Sequence, residues 1–259
     1  MAREIIKNLT YRKTTGTFDP AEFSVFLEDQ YLKKNRSGTR AKKTFAPSSI
    51  GGYNGICPRY WYLAFNQHDF ADSNDALGIA NMSNGTYSHS RIEKLLEDSG
   101  VPVDLESEMT YADPPIRGYI DIMIEWEGEI VVGEFKTARS EAFAVRQASM
   151  KPSFQHLVQI LIYLKATQKK SGFLLYENKN TQEFLVIPVE MNERNEALLE
   201  KVFEWLRAVY KNFEEGELPK RPFTRKSVIC KGCAIKDWCW EQQPEGTVDM
   251  PAMEVPKVY

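Results

Sequence analysis

The feature that most constrains this chain is a short acidic turn, Glu127-Gly128, set between two strand-like segments, Ile116 to Trp126 and Glu129 to Thr137. A two-residue loop sets the register of the hairpin it closes: Trp126 must pair with Glu129, and every other opposed pair follows. That register puts Asp121 across from Glu134. Directly opposed residues project to one face with Cβ atoms about 5 Å apart, and Lys136, two residues beyond Glu134, shares that face. Ile120, Ile122, Val132 and Phe135 are expected to point the other way. Two acids and an ammonium converging on one strand pair are costly, because like charges in a partly buried site resist joint ionisation. A divalent cation resolves the conflict. Magnesium or manganese prefers carboxylate and water oxygens, and the bound ion activates water and offsets phosphate charge. Lys136 is placed to orient that water or to offset developing charge. Taken alone, the three residues also fit a solvated salt-bridge cluster on an ordinary hairpin.

The surrounding pattern alternates helices and strands. Pro47-Ser48-Ser49 offers an N-cap for a helix running toward Cys57 and the aromatic Tyr60, Trp61 and Tyr62. A second helix is predicted over Asn84 to Asp98, closed by Gly100 and carrying His89. Asp104 to Tyr111 reads as a strand before the hairpin. Phe154 to Ala166 reads as a helix, Gly172 to Glu177 and Glu183 to Glu190 as a second hairpin around Asn178-Lys179-Asn180, and Asn192 to Glu214 as a long amphipathic helix. Beyond Trp240 the prolines Pro244, Pro251 and Pro256 leave no regular element predicted. The fold class is therefore α/β.

The 259 residues are 42% hydrophobic and 27% charged, enough to bury one sizeable core with appendages. No run of about eighteen apolar residues occurs, and the first residues lack the apolar stretch of a secretory signal, so a cytoplasmic protein without a membrane partner is expected. A net charge of −3 excludes a generic basic nucleic-acid coat, so any phosphate contact must come from local patches. The clearest patch, Lys33, Lys34, Arg36, Arg40, Lys42 and Lys43, reads as a flexible basic arm or loop that is either a linker or a DNA contact.

Gly118-Tyr-Ile-Asp121 followed by Glu134-Phe-Lys136-Thr137 resembles the Gly-x-x-Asp and Glu-x-Lys core of PD-(D/E)XK nucleases, in particular their RecB-like branch. Gln159 and Tyr163 resemble that branch's Gln-x-x-x-Tyr motif, and Gly85-x-x-x-His89 its first motif. By themselves, a helical histidine and a Gln–Tyr pair at i, i+4 are ordinary packing residues; their order and spacing make the match specific. The resemblance implies a restriction-endonuclease-like core, a central mixed sheet flanked by helices. It assigns the metal to His89, Asp121, Glu134 and the carbonyl of Phe135, the chemistry to Asp121, Glu134 and Lys136, and support or DNA contact to Gln159, Tyr163 and Lys179.

Only four cysteines occur, Cys57, Cys230, Cys233 and Cys239. One remote cysteine plus a compact Cys-x2-Cys-x5-Cys trio suits a 4Fe-4S cubane, which takes one thiolate per iron, whereas structural zinc sites more often draw on two close pairs. The pattern resembles the iron–sulfur clasp of AddB-type helicase–nucleases and of CRISPR-associated RecB-like nucleases of the Cas-four type. Zinc is the alternative for four cysteines. The expected organisation is a basic extension over residues 1–47, a nuclease domain over 48–240 with the clasp joining its two ends, and a tail over 241–259. The expected activity is a Mg- or Mn-dependent deoxyribonuclease, an exonuclease on single-stranded DNA or DNA ends. The settings expected are recombination, repair or replication, phage-encoded proteins included, with a helicase, recombinase or replication protein as partner. A catalytically silent binding module of the same fold and a CRISPR-adaptation nuclease are the alternatives.

Overall fold

The structure, a computed structural model, describes residues 18–34, 42–66 and 75–256. Five strands form one mixed sheet in the order β1-β2-β3-β4-β5: β1 Val103–Tyr111, β2 Ile116–Trp126, β3 Glu129–Ala138, β4 Ser171–Asn178 and β5 Phe184–Glu190. All neighbours are antiparallel except β3 and β4, which run parallel. A parallel pair needs a crossover. It is supplied by two helices, α4 (Ser140–Ser149) and α5 (Phe154–Thr167), of which α4 has no counterpart in the sequence reading. Its N-cap is Arg139, with no side-chain capping bond, and only Phe143 is buried, so the local pattern marking it is weak.

Three other helices complete the core. In chain order with the first helix, α1 (Pro20–Lys34), they are α2 (Pro58–Phe65), α3 (Ala76–Ser99) and, after the sheet, α6 (Glu193–Glu214). A one-turn helix, α7 (Val228–Lys231), and a π-helical turn at Trp238–Gln242 follow. Helix α5 is apolar on every side and every residue from Leu157 to Leu164 is buried, as a helix sandwiched between a sheet and a further helix requires. It lies on one face of the sheet with α6 behind it, and α2 packs on α6. The other face is covered by α3, whose Ile92 and Leu96 meet Ile122, Ile124 and Phe135. Burying each such Leu, Ile or Phe contributes about 1.5–3 kcal/mol, so these two apolar layers hold the sheet in place.

Several sequence expectations need correction. The helix expected from Ser48 begins only at Pro58; Pro47–Ser49 and Asn54–Ile56 are separate 3-10 turns. Gly51 sits at φ +76, and a Cβ on Gly55 would strike the Ser49 carbonyl, so the chain folds back on itself where the helix was expected. The basic arm is structured at both ends. Lys33 and Lys34 end α1, while the Lys42 amide donates to the Ala64 carbonyl and its ammonium lies over the Trp61 ring; Arg36 and Arg40 fall outside the described residues. Phe45, upstream of the Ser48 boundary, and Met253, beyond Trp240, both belong to the main core.

The apolar residues of the first hairpin also divide differently. Ile122 and Phe135 pack under α3, whereas Ile120 and Val132 join the core on the α5 side. Val132 lies two residues before Glu134, so period two puts both on one face of β3. On β1 and β2 the rows change cluster where pairing lapses: Leu105 pairs with Ile122 and Ser107 with Ile120, but Glu106 and Asp121 do not pair, and Glu106 has φ 47.

Candidate metal centre and cysteine pocket

The hairpin register is the one the turn dictates. Pairs run from Trp126 and Glu129 to Ile122 and Gly133, and the ladder stops there. Beyond that point the Phe135 amide donates to Asp121 Oδ2 at 2.7 Å, so a carboxylate takes the place of a backbone acceptor. This bond pins the Asp121 side chain in the gap between β2 and β3. His89 reaches the same place from α3: its Nδ1 is 3.8 Å from Asp121 Oδ2, and its ring stands edge-on to Phe135. Glu106 completes the group. Ligand atoms of His89, Glu106 and Asp121 all lie within 4.8 Å of one another.

Glu106 was missed by the sequence reading for a physical reason. In a regular β1 it would project away from the core like Asp104 and Glu108, with nothing to distinguish it. Only the left-handed backbone at φ 47, where the β1–β2 ladder lapses, brings it to Asp121. Burial raises the Glu106 pKa, with Asp121 and Glu93 adding to the effect and His89 opposing it.

Glu134 stands on β3 next to this group, 1% exposed. Its Oε1 takes the Lys136 ammonium and, at 2.7 Å, the Gln159 side-chain amide; its Oε2 is buried and accepts nothing among the described residues. Burial pushes the Glu134 carboxyl up to about 8, Asp121 pushes the same way, and Lys136 pulls it down. An orphaned, desolvated carboxylate oxygen beside a His–Glu–Asp group is what a divalent cation would satisfy, so the donor set fits magnesium or manganese.

Gln159 and Tyr163 are 3% and 2% exposed, and the Gln159 amide bonds both Glu134 and the Tyr163 hydroxyl at 2.9 Å. They therefore brace Glu134 from α5. Lys179, at the tip of the second hairpin, lines a polar pocket with Tyr87, Ser88, Arg91, Thr137 and Glu177, in which Ser88 and Arg91 both bond the buried Glu177. The structure places the Phe135 amide in the site, beside Asp121.

The four cysteines converge on a second pocket walled by Tyr60, Ile229, Ile235 and Trp240. Cys57 caps the start of α2, Cys230 lies in α7, Cys233 just beyond it, and Cys239 in the π-helical turn. Residues from the two ends of the sequence thus share one small cavity. Burial pushes the Cys57 thiol up to about 12, helped by Cys233 and Cys239, and the Cys233 thiol up to about 11. Such thiols ionise only when a cation draws them, and a thiophilic metal or cluster does so.

The profile of the PD-(D/E)XK nuclease superfamily matches residues 82–240. The chain belongs to that superfamily, a class of metal-dependent hydrolytic nucleases. Among curated proteins none matches the chain. Of the solved structures, SSO0001 is 18% identical with a TM-score of 0.48, covering 86% of this chain and 98% of its own. LHK-Exo in complex with dAMP is 13% identical with a TM-score of 0.49, covering 67% of this chain and 89% of its own. The alkaline exonuclease LHK-Exo from Laribacter hongkongensis is 12% identical with a TM-score of 0.48, covering 72% of this chain and 95% of its own. No helix among the described residues is long and apolar enough to cross a membrane.

Proposed function

We propose that this chain is a RecB-like deoxyribonuclease that hydrolyses phosphodiesters of single-stranded DNA or DNA ends, as an exonuclease in recombination, repair or replication. The observation that carries the reading is the bare, buried Glu134 Oε2 beside Asp121, His89 and Glu106. These four residues would hold magnesium or manganese, which when bound supplies an activated water and offsets charge on the phosphate. Asp121 is kept in place by the Phe135 amide, and Glu134 by Gln159, so neither carboxylate has to be ordered when the strand arrives. Lys136, one-fifth exposed and paired to Glu134, keeps an ammonium at the edge of the site, where it orients the attacking water or meets developing negative charge. Lys179 supplies a phosphate contact near the same edge.

The cysteine pocket carries the second half of the proposal: Cys57, Cys230, Cys233 and Cys239 would hold a 4Fe-4S cluster that closes the fold. Supporting it are four half-buried cysteines, one from the first quarter of the sequence and three from its last, around one apolar cavity. The cluster's role is structural, removing conformational freedom from the unfolded chain.

The test uses protein purified anaerobically, manganese or magnesium, and end-labelled single- and double-stranded DNA. Cleavage by the wild type that stops on chelation and is absent in Asp121→Asn, which keeps an oxygen for the Phe135 amide, is the expected result. Normal turnover by Asp121→Asn sinks the assignment. Mononucleotide products from an end-labelled strand identify an exonuclease; internal fragments overturn that part of the reading.

A further inference from the structure

One fully buried charge among the described residues lies outside the acid-rich site. Arg59, two residues after Cys57, is 1% exposed. No carboxylate among the described residues pairs with it. Its Nη atoms donate to the backbone carbonyls of Pro219 at 2.7 Å, Glu245 at 2.8 Å and Pro244 at 2.5 Å, and its Nε donates to Cys239 Sγ at 3.1 Å. Carbonyl dipoles solvate the N–H groups but leave the positive charge without a counter-charge. An isolated buried guanidinium is strongly disfavoured, since removing a charge from water is repaid only by an opposite charge or by extensive polar contact. Glu245, whose carbonyl belongs to this network, spends its carboxylate on Arg221.

The opposite problem exists alongside. Four thiolates gathered in an apolar cavity around a cubane remain net negative, and that charge too must be balanced. We propose that Arg59 is the built-in counter-ion of the cysteine site, its guanidinium compensating the charge of the thiolate-bound group and its Nε–H fixing the Cys239 sulfur. The inference rests on the reading of this pocket as a cluster site. Arg59 is a positioning residue: it touches a ligand sulfur, and through the carbonyls of Pro244 and Glu245 it fastens the segment that follows that sulfur to the start of α2. Arg221 holds the same cysteine from the other side, donating to its carbonyl at 2.7 Å and lying over the Trp240 ring. Cys239 is therefore held at its backbone by one arginine and at its sulfur by the other.

A hydrogen bond and a positive charge at a ligand sulfur both stabilise the more negative, reduced state, so they raise a cluster's potential. The experiment compares anaerobically reconstituted wild type, Arg59→Lys and Arg59→Met by iron and sulfide content and by the midpoint potential of the loaded fraction. The expected order of potentials is wild type highest, Arg59→Lys intermediate and Arg59→Met lowest, with iron retention falling in the same order. A merely structural arginine would lower iron content and melting temperature while leaving the potential of loaded protein unchanged, and that result overturns the proposal. Wild-type protein grown with [15N]arginine gives a test that needs no substitution. Pulsed electron paramagnetic resonance of the reduced cluster should show a 15N coupling, and its absence rejects the Nε–H to sulfur bond. A wild type that holds zinc and no iron overturns the cluster reading itself; Arg59 is then judged by zinc retention, where equal retention by Arg59→Lys and Arg59→Met rejects the counter-ion role.

Discussion

The acid-rich centre and the cysteine pocket solve one problem, concentrating negative ligands, in opposite ways. Asp121, Glu134 and Glu106 stand on strands and His89 on a long helix, so the scaffold sets their spacing before any ion arrives. Their charge is handled within the group, by Lys136 and the Gln159 amide on one Glu134 oxygen while the other is left bare. The cysteines stand on turns and one-turn helices, which fix little by themselves, and a buried arginine from a different element approaches one sulfur. The contrast teaches that a rigid sheet can strain carboxylates against one another for chemistry. On the proposed reading, a pocket built from loops depends on its bound group and its counter-charge for order.

The contrast is broken most directly at Asp121 and Glu134. Asp121→Asn and Glu134→Gln should each abolish metal-dependent cleavage while the melting temperature stays near that of wild type, because the sheet does not need their charge. A folded variant that cleaves normally, followed on end-labelled DNA, removes the acid centre from the mechanism.

The opposite pattern is expected at the other pocket. Cys233→Ala should lose iron and melt several degrees earlier, on the order of a few kcal/mol of stability, yet the fraction that remains folded should cleave at a near-normal rate. An unchanged melting temperature with lost cleavage would show that the two regions are not separate in function.

A smaller effect sharpens the account of how the sheet side is held. Gln159→Leu leaves Glu134 Oε1 to Lys136 alone, and loss of such a supporting bond typically lowers metal affinity or turnover by about 10–100-fold. Titrating manganese in the cleavage assay measures it; wild-type manganese dependence would mean that Gln159 is packing only.

The smallest expected effect is on stability against pH. Burial pushes His156 down to about 3, with Lys136 and Arg146 adding to the shift, and its Nδ1 meets the Tyr176 hydroxyl at 2.8 Å. An unfolded chain protonates this ring as pH falls through about 6.5, whereas the folded protein does not until near 3. Stability is therefore lost as pH falls across that window, by up to about 1.4 kcal/mol per pH unit. Glu134, raised to about 8, pushes the opposite way between its folded and unfolded values, so the comparison is with His156→Gln and not with pH alone. Denaturant melts at pH 6.5, 5.5 and 4.5 should show a shallower loss in the variant; parallel slopes would mean the ring is protonated in the folded protein.

Much of the acid centre was legible because its geometry is local. A two-residue turn sets a register, the register sets Asp121 near Glu134, and alternation adds Lys136. Helix α3 was legible from its spacing and from Gly100 at φ 74, although its start at Ala76, capped by Asp75, was not. The terminal cysteines were legible as a group by composition alone. Tertiary structure decided the rest. Glu106 joins the site only through a left-handed residue where two strands part, and Gln159 and Tyr163 become supports because α5 is buried on all sides. Arg59 acquires its partners across more than a hundred and fifty residues of chain. What the sequence determined by itself were interactions over a few residues, where backbone sterics and periodicity leave few alternatives. Burial, desolvation and counter-charge depend on which distant surfaces meet, and no local pattern encodes them.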